Sequence, residues 1–284
     1  MSNYNYFIDK DRRALQAKEH TEKVGLYYHN NTVNSILDSI ILTSNHTQID
    51  RIELQDQLHS ISINNHNPAG RITLIDTDSV SAIFNAYNNN LYPIILNFAS
   101  YKNPGGMFMN GSSAQEESLC HRSNLYNILA SRELEQDYNY NRSHLNNGLY
   151  TNRAVYTPRV LFFEDQECLS YKEADVITCA APNKSLIKYG RFNNYDNSKV
   201  LQDRILFITN ICMNKIIEEI KSGFNRQLVF ILGAYGCGVF RQDPYEVATV
   251  YRKSIENYIV PYSNVIFAIP GGKNYNAFKE VFNI

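Results

Sequence analysis

Two adjacent carboxylates, Glu116 and Glu117, follow a turn made of Pro104, Gly105 and Gly106, and Gln115 stands directly before them. These residue types in this order put acid groups beside an anion site. A Pro-Gly-Gly turn lets backbone approach a ligand closely, and its successive N–H groups can form an anion-binding concavity. Ser113 with Glu116 three residues on is the capping-box pattern of a helix start, and acidic residues in a first turn complement the helix dipole. Two readings of the pair follow. Both glutamates serve the helix start, or Glu116 serves it and Glu117 is left for chemistry. Residues i and i+1 of a helix point about 100° apart, so the two carboxylates have different tasks.

A second glycine-rich stretch, Gly233-Ala234-Tyr235-Gly236-Cys237-Gly238-Val239-Phe240, follows the apolar run Leu228 to Leu232. Gly-x-Gly alone is weak. Its place after a strand and before a helix, Pro244 to Tyr258, is where ligands bind in open α/β sheets. Asp243-Pro244 supplies that helix with a cap and a proline at its first position.

These loops need elements to position them. Pro93 to Phe98 reads as a buried strand before the first loop, and Ser113 to about Glu133 as one helix after it. Upstream, Asp9 to Leu26 reads as a helix carrying Arg12 and Arg13, and Val33 to Leu42 as another. A polar stretch then ends at Pro68-Ala69-Gly70. Arg71 to Asp76 reads as a strand, with Thr77-Asp78-Ser79 capping the helix Val80 to Tyr87. Asp137 to Arg153 lacks periodicity and reads as a long loop. Val160 to Phe163 and Asp175 to Ala180 are short apolar runs, and a polar connection spans Asn183 to Asn197. Ser198 to Ser222 presents Leu201, Ile205, Ile208, Cys212, Ile216 and Ile220 at helical spacing. Asn264 to Ile269 is a last strand, Pro270-Gly271-Gly272 a turn, and Tyr275 to Phe282 a terminal helix. Alternating strand and helix without an internal repeat indicates one α/β/α layered domain over 1–284 with a mainly parallel sheet.

Composition bounds the function. The 27 basic and 28 acidic residues of the 284 give a formal net charge of −1, so no global field draws a polyanion and no direct nucleic-acid binding is expected. Five cysteines, Cys120, Cys168, Cys179, Cys212 and Cys237, show no C-x-x-C spacing. They read as reduced thiols in a cytosol-like compartment. The seven histidines show no metal-ligand spacing, and His121 reads as a helix-surface residue, so no metal and no cofactor is implied. No signal-peptide h-region or membrane-spanning run is visible, which points to a soluble, intracellular protein.

The run Leu96-Asn97-Phe98-Ala99-Ser100-Tyr101-Lys102-Asn103-Pro104-Gly105-Gly106, followed by Gln115-Glu116-Glu117, resembles the signature of the microbial poly(ADP-ribose) glycohydrolases. Arg12-Arg13, Tyr156-Thr157-Pro158, Val176-Ile177-Thr178 with Ala181-Pro182-Asn183, Leu232 to Phe240 and Asn274 to Phe278 fall in that family's order. The resemblance spans the chain from about residue 10 to the end. Met107 departs from it, standing where the family has a third glycine.

The resemblance implies a three-layer α/β/α macrodomain-like fold with a mixed, mainly parallel central sheet and an N-terminal helical accessory segment, 1–68. It implies hydrolysis of ribose O-glycosidic bonds in poly(ADP-ribose) or ADP-ribosylated protein, with mono-ADP-ribosyl-protein hydrolysis or non-catalytic ADP-ribose reading as alternatives. By resemblance Glu117 is the general acid, Glu116 binds ribose hydroxyls and Gln115 supports the same groups. Asn103, Gly105, Gly106, Met107, Gly236, Cys237, Gly238, Val239 and Phe240 are the expected ligand-binding residues. Asn103 donates to a ribose hydroxyl or closes the turn through its own backbone. Phe240 packs on the ribose or adenine, or in the core. Two glycine loops would supply a diphosphate with N–H donors without a net basic charge.

Overall fold

The computed structural model describes residues 2–62, 70–186, 194–223 and 226–284. Pro68 and Ala69, and residues 187–193 of the polar connection, lie outside them. In chain order the elements are α1 (Ser2–Tyr27), α2 (His29–Leu37), β1 (Ile40–Thr43), α3 (Thr47–Ser62), β2 (Ile72–Ile75), α4 (Ser79–Asn88) and β3 (Tyr92–Phe98). A 3-10 turn at Phe108–Asn110 leads to α5 (Gln115–His121), α6 (Leu125–Leu129) and α7 (Glu135–Ser143). Then come β4 (Arg153–Phe163), β5 (Tyr171–Cys179), α8 (Asn194–Ser222), β6 (Leu228–Leu232), α9 (Pro244–Ile255), β7 (Asn264–Ala268) and α10 (Lys273–Phe282). The strands form a mixed seven-stranded sheet with helices on both faces, the expected α/β class. No described helix is long and apolar enough to cross a membrane.

Contacts divide the chain into two compact units, 1–41 with 97–144 and 154–180, and 42–96 with 145–153 and 181–284. In the second unit β3, β6, β7 and β2 run parallel, with Ile94 opposite Phe230, Phe230 opposite Val265, and Leu74 opposite Phe267. Every residue of β6 is buried, which is why these strands read as unbroken apolar runs. Leu201, Ile205, Ile208, Cys212 and Ile216 of α8 are buried as their spacing predicts. Asp78 caps α4 by accepting from Val80 and Ser81 N–H, and Asp243 caps α9 by accepting from Tyr245 and Glu246 N–H.

In the first unit β4 and β5 form an antiparallel pair that shifts register between Thr157 and Val160. Pro158 has no N–H for the ladder. Arg159 beside it takes a positive φ of 54° and donates its N–H to the Asp175 carboxylate at 2.9 Å.

Several expectations give way. Val33 to Leu42 is not one helix, because α2 ends at Leu37 and Ile40–Thr43 is a strand. The polar stretch after it contains α3, whose buried face is Thr47, Arg51, Leu54 and Leu58. Residues 1–41 fall in the first unit and α3 in the second. The single helix over 113–133 is broken in two, since Ser123 bridges to Phe162 of β4 and the Asn124 side chain accepts from Leu161 N–H at 2.9 Å. The loop over 137–153 includes most of α7, which buries Asp137, Tyr138 and Asn141.

Candidate active site

β3 delivers the first loop. At its end the Phe98 N–H donates to the Gln115 side-chain oxygen at 2.8 Å, fastening the start of α5 to the strand. Gln115 is thus a positioning residue here. Two residues on, the Ser100 N–H donates to Glu116 Oε2 at 2.7 Å, and Asn97 Nδ2 donates to Glu116 Oε1 at 3.3 Å. The Gly105 N–H also reaches Glu116. Glu116 is 3% exposed, and burial pushes its pKa up to about 8, helped by the charge of Glu117 and opposed by the Ser100 and Asn97 hydrogen bonds.

The helix-cap reading of the pair does not survive. The N-cap of α5 is Ala114 with no side-chain cap, and the Glu116 carboxyl turns back toward the end of β3. Glu117, 6% exposed, accepts the Met107 N–H on Oε1 at 2.8 Å. Its other oxygen, Oε2, is buried and has no partner among the described residues.

Gly105 and Gly106 both sit at positive φ, 64° and 63°. A Cβ on Gly106 would run into Glu117 Oε1 and stand 2.9 Å from Glu116 Oε2, so both carboxylates close on this one glycine. A Cβ on Gly105 would meet the Tyr126 ring at 2.6 Å. Met107, in contrast, has φ −110° and ψ 32°. Its position does not require glycine, its backbone N–H still reaches Glu117, and its side chain is 45% exposed. The loop's donors are already engaged: Gly106 N–H with Asn103 O, Phe108 N–H with Gly105 O, and those of Gly105 and Met107 with the glutamates. The expected anion concavity therefore holds the chain's own carboxylates. Asn103 closes the turn through its backbone, donating to Ser100 Oγ at 3.2 Å and accepting from Gly106, and leaves its side chain exposed.

Behind the pair, Cys120 and Tyr138 are buried and interact with Glu116, and burial raises both of their pKa values well above the ordinary range. Both stay uncharged. α1 closes on the turn that follows the loop: Arg13 Nε donates to Gly111 O at 2.8 Å, and a Cβ on Gly111 would overlap Lys10 O. Arg12 instead makes an exposed pair with Asp9. His121 is half-buried rather than fully on the helix surface. Its ring meets Phe108 edge-on at 4.6 Å, its Nε2 is buried without a partner, and burial pulls its pKa down to about 4.

The second loop, in the other unit, behaves differently. Gly236 takes φ 75°, and a Cβ there would stand 2.8 Å from Ala181 Cβ and 2.9 Å from Gln242 Cγ. Gln242 is buried, donating to Pro182 O at 2.6 Å and exchanging hydrogen bonds with Asn197 at 2.9 Å. Cys237 N–H turns back to Ala234 O, and burial pushes the Cys237 thiol up to about 12. The N–H groups of Gly236, Gly238, Val239 and Phe240 find no acceptor among the described residues. A Cβ on Gly238 would meet open space. Phe240 is half-buried with its ring 6.2 Å from that of Tyr150, so it is not a core residue.

The profile of the microbial-type PARG catalytic domain matches residues 14–165, more than half of the chain. The chain belongs to this family of poly(ADP-ribose) glycohydrolases, glycosidases of poly(ADP-ribose). Among solved structures, the PARG of Deinococcus radiodurans in complex with ADP-ribose is 25% identical over 89% of this chain and 96% of its own, with a TM-score of 0.73. The PARG of Thermomonospora curvata shares the fold at 22% identity, over 96% of this chain and all of its own, with a TM-score of 0.77. No curated protein matches. The macrodomain-like fold expected of a PARG is borne out.

Within the first unit the PARG motif residues Gly105, Gly106, Met107, Gln115, Glu116 and Glu117 meet at one place. Gly236 to Phe240 form a separate loop in the second unit. Sequence reasoning missed Asn97, Ser100, Asn197 and Gln242. Asn97 carried a signal, as the polar residue inside an apolar strand. Ser100 carried none, because it acts through its backbone. No group of three or more His, Cys, Asp or Glu among the described residues is placed to hold a metal ion.

Proposed function

We propose that Glu117 is the general acid in a hydrolysis that releases ADP-ribose from poly(ADP-ribose) or from ADP-ribosylated protein. One observation carries the assignment. Both Glu116 oxygens accept hydrogen bonds from the chain, whereas Glu117 Oε2 is buried with no partner among the described residues. A desolvated carboxyl oxygen left free by the protein can protonate the leaving oxygen as the ribose centre becomes oxocarbenium-like. Water then completes the cleavage with help from the ligand's own phosphate or from Glu117 in its basic form. The two carboxylates are neighbours on one helix, so they do not work from opposite sides of the bond as in two-carboxylate glycosidases. The unengaged N–H groups of the second loop, in the other unit, suit a phosphate group without a basic side chain.

The reading as a non-catalytic ADP-ribose reader rested on Met107 distorting the loop. The ordinary φ of Met107 and its intact N–H bond to Glu117 weaken that ground. Incubation with labelled polymer and with mono-ADP-ribosylated protein separates the substrates. Release of free ADP-ribose from at least one is expected, and release from neither would overturn the proposal.

Two further readings belong here. The five free cysteines support a reducing, cytoplasmic location; cell fractionation that finds the protein with oxidised cysteines would count against it. The chain crosses between its two units five times, so each unit consists of three separated segments. That supports one functional domain, which a single calorimetric unfolding transition would bear out and two transitions would refute.

A further inference from the structure

We propose that Asn97 is the positioning residue of the acid pair, its carboxamide holding the Glu116 carboxyl in place from the floor of the site and itself steadied by Thr178. The inference rests on the reading of Glu116 and Glu117 given above.

Asn97 is fully buried in the otherwise apolar strand β3, between Leu96 and Phe98. Its Nδ2 donates to Glu116 Oε1 at 3.3 Å and to Thr178 Oγ1 at 3.3 Å, and its Oδ1 is buried with no partner. An amide in that setting costs stability, because the orphaned oxygen has lost its water and gained nothing. An apolar residue would fill the strand more cheaply. The compensation lies at Glu116, which the Ser100 and Gly105 N–H groups hold from the loop and Asn97 holds from the strand. The titratable groups facing Glu116 are Glu117 and Cys120 on its own helix and Tyr138 on α7. Cys120 and Tyr138 remain neutral. No cation stands among the described groups acting on Glu116. Burial raises the Glu116 pKa most, hydrogen-bond donors oppose it, and Asn97 is the side chain among those donors.

Removing that donor makes ionisation of Glu116 harder. In Asn97→Ala the titration of the Glu116 carboxyl, expected near pH 8 in the wild type, should move up by about one pH unit, the scale of one hydrogen bond to a charged group. The rate of release should fall while ADP-ribose affinity is retained. Thr178→Val, a milder change, should move the titration the same way by less and serves if Asn97→Ala does not fold. A purely structural Asn97 would lower the yield of folded protein and leave the Glu116 titration in place. Carboxyl ¹³C NMR of Glu116, with Glu116→Gln for assignment, reads the same shift without turnover. It separates this inference from the wider one: a titration unmoved in both variants overturns the role of Asn97, whatever the activity.

Discussion

A methyl group added at Gly106 probes whether the loop and the two glutamates work as one unit. Two costs follow from the structure of Gly106→Ala. Backbone at φ 63° is left-handed, which costs an L-residue roughly 1–2 kcal/mol. The new Cβ would overlap Glu117 Oε1 and lie 2.9 Å from Glu116 Oε2 and 3.2 Å from Glu117 Cδ. Carbon atoms settle at roughly 3.5 Å or more from their neighbours, so Glu117 must retreat by on the order of an ångström and Glu116 by less. Misplacing a catalytic group by about 1 Å costs about 10²-fold in rate. Thermal unfolding and ADP-ribose release, measured on the same preparation, separate the two costs. We expect a melting temperature lower by a few degrees and release slowed by about 10²-fold. Wild-type turnover with only the stability loss would refute the idea that this glycine sets the carboxylates.

Gly238→Ala is the matched control in the other unit: its Cβ faces open space, so calorimetry should find stability unchanged, while titration with ADP-ribose should find weaker binding if a phosphate approaches the free N–H groups. Unchanged affinity would remove this loop from the ligand site. Met107→Gly should leave Glu117 tethered, because the donor is the backbone N–H; release from polymer should change by no more than a few-fold, and a large rise would show that the methionine side chain restricts the substrate. Glu116→Gln should alter stability against pH in one direction. A carboxyl raised from about 4.3 in the unfolded chain to about 8 when folded contributes stability that is fully present below the lower value and lost as pH rises through the upper one. Urea unfolding should show the wild type weakening across that window, by on the order of a few kcal/mol, while Glu116→Gln stays flatter. Parallel profiles would mean that Glu116 ionises normally.

Much of this was legible in the sequence because parallel strands buried on both faces are apolar runs. β3, β6 and β7 fall within a residue or two of where those runs lie. The missed helices bury polar residues instead. In α3 the buried stripe includes Arg51, whose guanidinium bonds to Asn210 Oδ1 at 2.8 Å and Ser254 O at 2.9 Å and lies over the Tyr258 ring. In α7 the stripe is Asp137, Tyr138 and Asn141. Hydrophobic periodicity cannot show a face satisfied by hydrogen bonds from elsewhere in the chain. The break between α5 and α6 is likewise non-local, made by the pairing of Ser123 with Phe162. At the site, the motif marked the right residues but not their division of labour. Which loop keeps its N–H groups free depends on where two carboxylates point, and the capping-box spacing at Ser113 and Glu116 pointed the wrong way.

The most direct test of the central claim is single-turnover release of ADP-ribose by Glu117→Gln beside the wild type, with ADP-ribose affinity measured for both. Glutamine preserves the shape and the acceptor for the Met107 N–H but has no proton to transfer. We expect binding to survive and release to fall by about 10²-fold or more, the usual scale for loss of a general acid. An unchanged rate in Glu117→Gln, against an active wild type, would contradict the assignment of Glu117 as the acid.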